Sequence, residues 1–143
     1  ANFPILEKYY YSDSINSYCC NKKIKKIRTS KQTKIENSKL ITNSIHTFKS
    51  KKIFNFFKNY KFFFKISGVD SYNFCLLAEG KIDLVMESGL KPYDVIPHIP
   101  IIENAGGVIT DWKGNKNFEK GEILAAANKI LHSKFLSYIK SKI

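Results

Sequence analysis

Arginine is nearly missing. Arg28 stands alone among 24 cationic residues, which face 12 acidic ones for a formal charge of +12. Proteins that read phosphates and base edges lean on the bidentate guanidinium fork, so a surplus made of lysine argues against sequence-specific nucleic-acid binding. A solvated lysine face, with a mild attraction for phosphorylated small molecules, is the plainer reading. No run of 18 or more apolar residues occurs, so nothing in the sequence spans a membrane as a helix. Cys-x-x-Cys is also absent; Cys19, Cys20 and Cys75 show no metal-binding spacing, and His46, His98 and His132 are scattered. The expectation is three reduced thiols in a cytoplasm, with Cys75 as a small core residue and no role for the histidines.

What is present suffices for a folded unit: 143 residues, 43% hydrophobic and 14% aromatic. Asn2 to Leu6, Lys8 to Tyr11 and Tyr18 to Asn21 read as extended, with Ser12 to Ser17 as a turn, which together predict an antiparallel meander. Lys22 to Arg28 alternates as a short edge strand whose lysines discourage intermolecular pairing. Tyr9, Tyr10 and Tyr11 fit a half-buried strand better than a base-stacking platform. Beyond the polar stretch Ser30 to Ser38, a buried strand begins at Lys39, Phe48 to Phe57 carries one apolar helical face, and Lys61 to Ile66 reads as a strand buried on both sides.

From Gly68 to Asp111 glycines, carboxylates and apolar segments recur at spacings that chemistry can use. The pattern predicts a helix over Ser71 to Glu79, a strand over Lys81 to Met86, a polar loop, a helix over Asp94 to Asn104 and a strand over Val108 to Thr110, an α/β layout. Glu87 and Asp94 fall where a strand hands over to a helix, beyond the carboxyl ends of strands, where α/β sheets bind ligands. Asp94 fits equally well as the N-cap of its helix. Pro100 should bend that helix, whereas Pro97 is tolerable in a first turn. Ala105-Gly106-Gly107 reads as a C-cap, Asp111 as a turn residue, Ile123 to Ala127 as a buried strand, and Asn128 as the cap of a final helix over Ile130 to Ile139.

Gly68-Val69-Asp70, Asn73-Phe74-Cys75-Leu76, Gly80, Asp83, Glu87, Gly89, Tyr93-Asp94 and Glu103-Asn104-Ala105-Gly106-Gly107 together resemble the C-terminal half of the inositol monophosphatase family. Leu90-Lys91-Pro92-Tyr93-Asp94 and Gly107 to Trp112 are more similar to its histidinol-phosphatase branch. Weaker likeness extends from Phe3 to Asn128. The resemblance implies a layered αβαβα fold, of which residues 1–143 would be the C-terminal portion with antiparallel strands at their start. It also implies Mg²⁺-dependent phosphomonoester hydrolysis, in which a water activated by the metals attacks phosphorus in line. Asp94 matches the family's late metal ligand, and hard Mg²⁺ prefers such oxygen donors. Asp70 and Glu87 match positions that contact the non-phosphate part of the substrate, beside the Gly68-Val69 backbone.

Two departures qualify that expectation. The family's earlier metal ligands, a Glu-Glu pair and an Asp-Pro-Ile-Asp-Gly-Thr loop, do not occur here, so the chain is expected to be part of a longer enzyme and inactive alone. Pro97 replaces a small residue, which bears on the pose of Asp94. Histidinol phosphate is the first-choice substrate because Asp70 would face its cationic amine. Inositol or sugar phosphates, or a non-enzymatic basic nucleic-acid-binding fragment, are the alternatives. The expected partners are a small phosphomonoester, the remaining half of the enzyme and, as one arrangement, a second copy, without specific nucleic acid or membrane.

Overall fold

The computed structural model describes residues 1–141. Its first element is a four-stranded antiparallel sheet of β1 (Asn2–Phe3), β2 (Lys8–Ser12), β3 (Ser17–Asn21) and β4 (Lys23–Ile27) in sequence order. The predicted meander is present, with Ser12 paired to Ser17 at the hairpin end and Asp13 Oδ1 accepting the Ile15 and Asn16 amides at 2.7 and 2.6 Å. Strand β4 is an edge, as the alternating lysines imply. Pro4–Leu6 forms a 3₁₀ turn instead of continuing the strand, because proline supplies no amide to a ladder.

The second sheet has the order β6-β5-β7-β9-β8. Strands β5 (Lys39–Thr42), β6 (Phe64–Ser67) and β7 (Leu84–Glu87) are parallel, joined through α1 (Lys51–Asn59) and α2 (Asp70–Ala78). Strand β9 (Ile123–Ala126) enters antiparallel between β7 and β8 (Val108–Asp111). The stretch expected to be a doubly buried strand from Lys61 is shifted: pairing starts at Phe64, the strand lies at the sheet edge, and Phe63 is 73% exposed. An apolar run marks burial somewhere, but periodicity alone does not distinguish a central strand from an edge and its lead-in.

Alternation along the strands builds the layers. Ile41, Val85, Ile109 and Ala125 face one way and meet Phe74 and Leu77 of α2 with Ile102 of α4 (Ile99–Glu103). Leu40, Leu84, Met86 and Leu124 face the other way and meet α1 and α5 (Lys129–Lys140) through Phe56, Phe57, Leu131 and Phe135. With both faces covered, β7 and β9 are buried at every position. On the far side of α2 and α4, Cys75, Ala78, Ile101 and Ala105 pack on Tyr10, Cys19 and Ile27 of the first sheet. The order is sheet, helices, sheet, helices.

The helix expected over Asp94 to Asn104 is broken. Helix α3 (Pro92–Val95) starts two residues early with Pro92 in its first turn, Ile96–His98 is a 3₁₀ turn, and α4 restarts at Ile99. Both Pro97 and Pro100 lack the amide a continuous helix needs, so two prolines three residues apart divide the segment. Asp94 is therefore not the N-cap; that position is Lys91. At the other end Gly106 takes φ +103° and the Gly107 amide returns to the Ile102 carbonyl at 2.9 Å, closing α4 as expected.

Candidate functional site

The three parallel strands bring their carboxyl ends, Thr42, Ser67 and Glu87, to one edge. The Asn43 side chain donates to the Ser88 carbonyl at 3.0 Å, and Ser88 Oγ donates to Thr47 Oγ1 at 2.9 Å, tying the loops there together. Helix α2 starts from this edge. The Gly68 amide donates to the Thr42 carbonyl at 2.8 Å, and exposed Val69 is the N-cap residue without a side-chain cap bond. Asp70 occupies the first turn, where a carboxylate complements the helix dipole.

Asp70 and Asp94 converge on a cleft of about 250 Å³, together with Ala1, Ser71, Tyr93, Pro97 and His98. Asp94 Oδ2 accepts the Lys91 amide at 2.8 Å, so one oxygen fixes the first turn of α3. Glu87 lies behind this cleft with no exposure; its Oε1 accepts from Asn73 Nδ2 at 2.7 Å, and its Oε2 has no partner. Burial is the main reason that its carboxyl is pushed up to about 8, and the negative charges of Asp70 and Asp94 push the same way. At neutral pH it therefore carries a proton. All five residues read from sequence, Gly68, Val69, Asp70, Glu87 and Asp94, fall at this end of the second sheet, but only Asp70 and Asp94 line the cleft itself.

Two further residues, Asn73 and His98, complete the arrangement. Asn73, buried in the middle of α2, orients Glu87, and a Cβ on Gly68 would run into its side-chain oxygen. A polar residue among Phe74, Cys75 and Leu76 was the available signal. His98 is buried against the Phe74 ring, with Nε2 2.8 Å from Ser71 Oγ and Nδ1 3.9 Å from Cys75 Sγ. Burial lowers its pKa to about 4, the Ala1 ammonium adding to the effect, so the ring is neutral and serves as a hydrogen-bonded link between α2 and the broken helix. No spacing in the sequence marks that contact. His132 likewise sits 2.8 Å from Thr110 Oγ1 within the core.

The implied Mg²⁺ calls for several oxygen donors at one point. Carboxylate oxygens suit a hard cation, but among the described residues no three His, Cys, Asp or Glu side chains group closely enough to hold a metal. Asp94 is a single prospective ligand with one oxygen already engaged. Asp111 is no substitute, since its Oδ1 accepts the Lys113 and Asn115 amides at 2.9 and 2.7 Å and shapes the turn as expected. The described residues do not fit a self-sufficient metal site.

A family model described as the inositol monophosphatase family matches residues 1–143. The chain belongs to that family. Over 92 residues it is 42% identical to the chloroplastic bifunctional phosphatase IMPL2 of Arabidopsis thaliana, covering 63% of this chain and 26% of that protein. Over 70 residues it is 31% identical to the histidinol-phosphatase of Chlorobaculum parvum, covering 49% of this chain and 27% of that one. Among solved structures, an inositol monophosphatase from Zymomonas mobilis superposes with a TM-score of 0.85 at 32% identity, over 97% of this chain and 55% of that chain. The matches thus span about a quarter of these curated relatives and about half of that solved family member. The mixed α/β architecture is that of the inositol monophosphatase fold. No described helix is long and apolar enough to cross a membrane.

Proposed function

We propose that the chain is the C-terminal part of a phosphomonoester hydrolase acting on histidinol phosphate, in histidine biosynthesis. The observation that carries this reading is the meeting of Asp70 and Asp94 at one cleft, with buried Glu87 close enough to feel both charges. Two carboxylates at the cleft, with the protonated Glu87 near them, favour a cationic group, and the amine of histidinol phosphate supplies one. Asp70 attracts that ammonium from solvent, leaving Asp94 to the metal. The positive charge of that ammonium would favour ionisation of Glu87, its proton passing to solvent, because the same neighbouring charges that raise its pKa would then be offset. Asn73 holds one oxygen of Glu87 in place throughout. The identity to a protein named histidinol-phosphatase supports the same substrate class.

Asp94 would supply one oxygen to magnesium, in company with carboxylates that this chain does not contain. Magnesium, when bound, supplies Lewis acidity toward the phosphate oxygens. The 143 residues by themselves are accordingly expected to be inactive.

The test is phosphate release with Mg²⁺, measured for the 143 residues alone and for the same residues joined in frame to a segment carrying a Glu-Glu pair and an Asp-Pro-Ile-Asp-Gly-Thr-like loop. Turnover should appear only in the joined protein and favour histidinol phosphate over inositol phosphate. Asp70→Asn should narrow that preference by about tenfold, the worth of one charge contact of roughly 1.4 kcal/mol. Clear turnover by the isolated chain would overturn the incompleteness, and a preference for inositol phosphate would overturn the substrate.

A further inference from the structure

At the other end of α2 lies a larger cleft that the carboxylate site does not use. It encloses about 510 Å³ between the first sheet and the end of α2, lined by Lys8, Lys23, Lys25, Lys26, Arg28 and Lys81 around Glu79, with Cys19 and Ile27 beneath. Strand alternation explains how lysines come to face inward. Lys23, Lys25 and Ile27 share one face of β4; Ile27 is buried in the core, whereas Lys23 and Lys25 project past the end of α2 and remain exposed. A nine-residue helix is about 13 Å long, so this cleft is separated from Asp70 by the full length of α2.

Glu79 is the sole acidic residue lining the cleft, and it is already engaged. It accepts from Tyr10 Oη at 3.0 Å and pairs with Lys81 at 3.2 Å and Lys8 at 3.8 Å. Among the described residues neither Lys23 nor Lys25 has an ion-pair partner. Five lysines and Arg28 therefore share a cleft with one carboxylate, and the surplus sits in a concave pocket, where fields focus and anions concentrate, instead of on a convex face.

We propose that this cleft is a second binding site for a small oligophosphate, a ligand carrying two or more adjacent phosphate groups, independent of the carboxylate cleft. Adjacent phosphates match two pairs of lysines facing each other from β4 and from the β2 and α2 side. Lysine suits this ligand because its ammonium acts as a point charge that follows a flexible anion, without the planar fork needed to read one fixed group. The inward lysines of β4 also keep an edge strand from pairing with another chain, and a ligand between them preserves that function.

The 143-residue chain is titrated calorimetrically with inorganic tripolyphosphate, orthophosphate and a single-stranded homopolymer, using Lys23→Gln/Lys25→Gln and, as a control, Lys113→Gln/Lys120→Gln in an exposed loop. Tripolyphosphate should bind at one site, about tenfold more weakly to the cleft variant and unchanged to the control, with orthophosphate far weaker throughout. Amide shifts should centre on Cys19, Asn21 and Glu79. Equal weakening in both variants, or equal affinity for orthophosphate, would leave only a generic lysine surface and overturn the proposal. Tighter binding of the homopolymer per phosphate would overturn it in favour of a nucleic-acid face.

Discussion

Glu87 couples the site to pH through stability. Its folded pKa of about 8 lies above the ordinary carboxylate value, so the folded state retains a proton that the unfolded chain has released. The stabilisation is full below about pH 4.5 and is lost as pH rises through about 8, with a slope of up to about 1.4 kcal/mol per pH unit. His98 has the opposite sign: its pKa is lowered to about 4, so its contribution is present above about pH 6.5 and is lost as pH falls toward 4. The two slopes oppose each other between about pH 4.5 and 6.5, and Glu87 acts alone from about 6.5 to 8. Denaturant melts at intervals across the latter window should show stability falling for the wild type and flat for Glu87→Gln. Gly68 offers a second residue-level measurement. Gly68→Ala pushes its methyl into Asn73 and should cost about 1–3 kcal/mol, and the cost should shrink in an Asn73→Ala background, as a double-mutant cycle would read.

At the scale of elements, Asn128 and Lys65 show two ways of ending a helix, one legible beforehand and one not. Asn128 Oδ1 accepts the Leu131 amide at 3.0 Å, and its Nδ2 donates to the Gln32 carbonyl at 2.8 Å, so it caps α5 and anchors the preceding loop. Asn128→Ala should lower stability by about 1–2 kcal/mol in chemical denaturation. The cap was legible because an Asn before an apolar periodic run is a local signal. Lys65 instead reaches back from β6 to the carbonyls of Phe57, Lys58 and Tyr60 at the end of α1, a contact set by the path of the chain, which no local pattern announces. The same division holds elsewhere. The meander, α2, β7 and the Asp111 turn follow from periodicity and turn chemistry, Asp94 from its place beyond a strand end, and Asp70 from the family resemblance alone. The His98–Ser71 contact and the edge position of β6 depend on tertiary packing, and Glu87 being sealed behind Asn73 depends on which face of α2 meets the sheet.

Charge is the property that acts on the whole molecule. Twenty-four cations stand against 12 acidic residues, and the ion pairs among the described residues are three: Lys8 and Lys81 with Glu79, and Lys116 with Glu103. Most lysines therefore repel one another across the surface, which opposes compaction. Raising salt from about 0.01 M to about 0.15 M shortens the screening length from about 30 to about 8 Å, and the melting temperature should rise by a few degrees with sodium chloride. A flat or falling response would show that the surface charges are balanced by contacts within the fold. The same measurement in sulfate would report exclusion from the surface as well, so chloride is the cleaner probe.

The position of β9 has a consequence for the order of assembly. It lies between β7 and β8, yet it is translated after both, and every one of its residues is buried. Until Ile123 to Ala126 leave the ribosome, β7 presents an open apolar edge and β8 has no strand to join. The second sheet is thus closed by a segment inserted late, with a long interval during synthesis in which an unpaired edge is available to other chains. Slowing synthesis between Asp111 and Ile123 would lengthen that exposure, and molecular chaperones that shield extended apolar segments would be needed most during that interval.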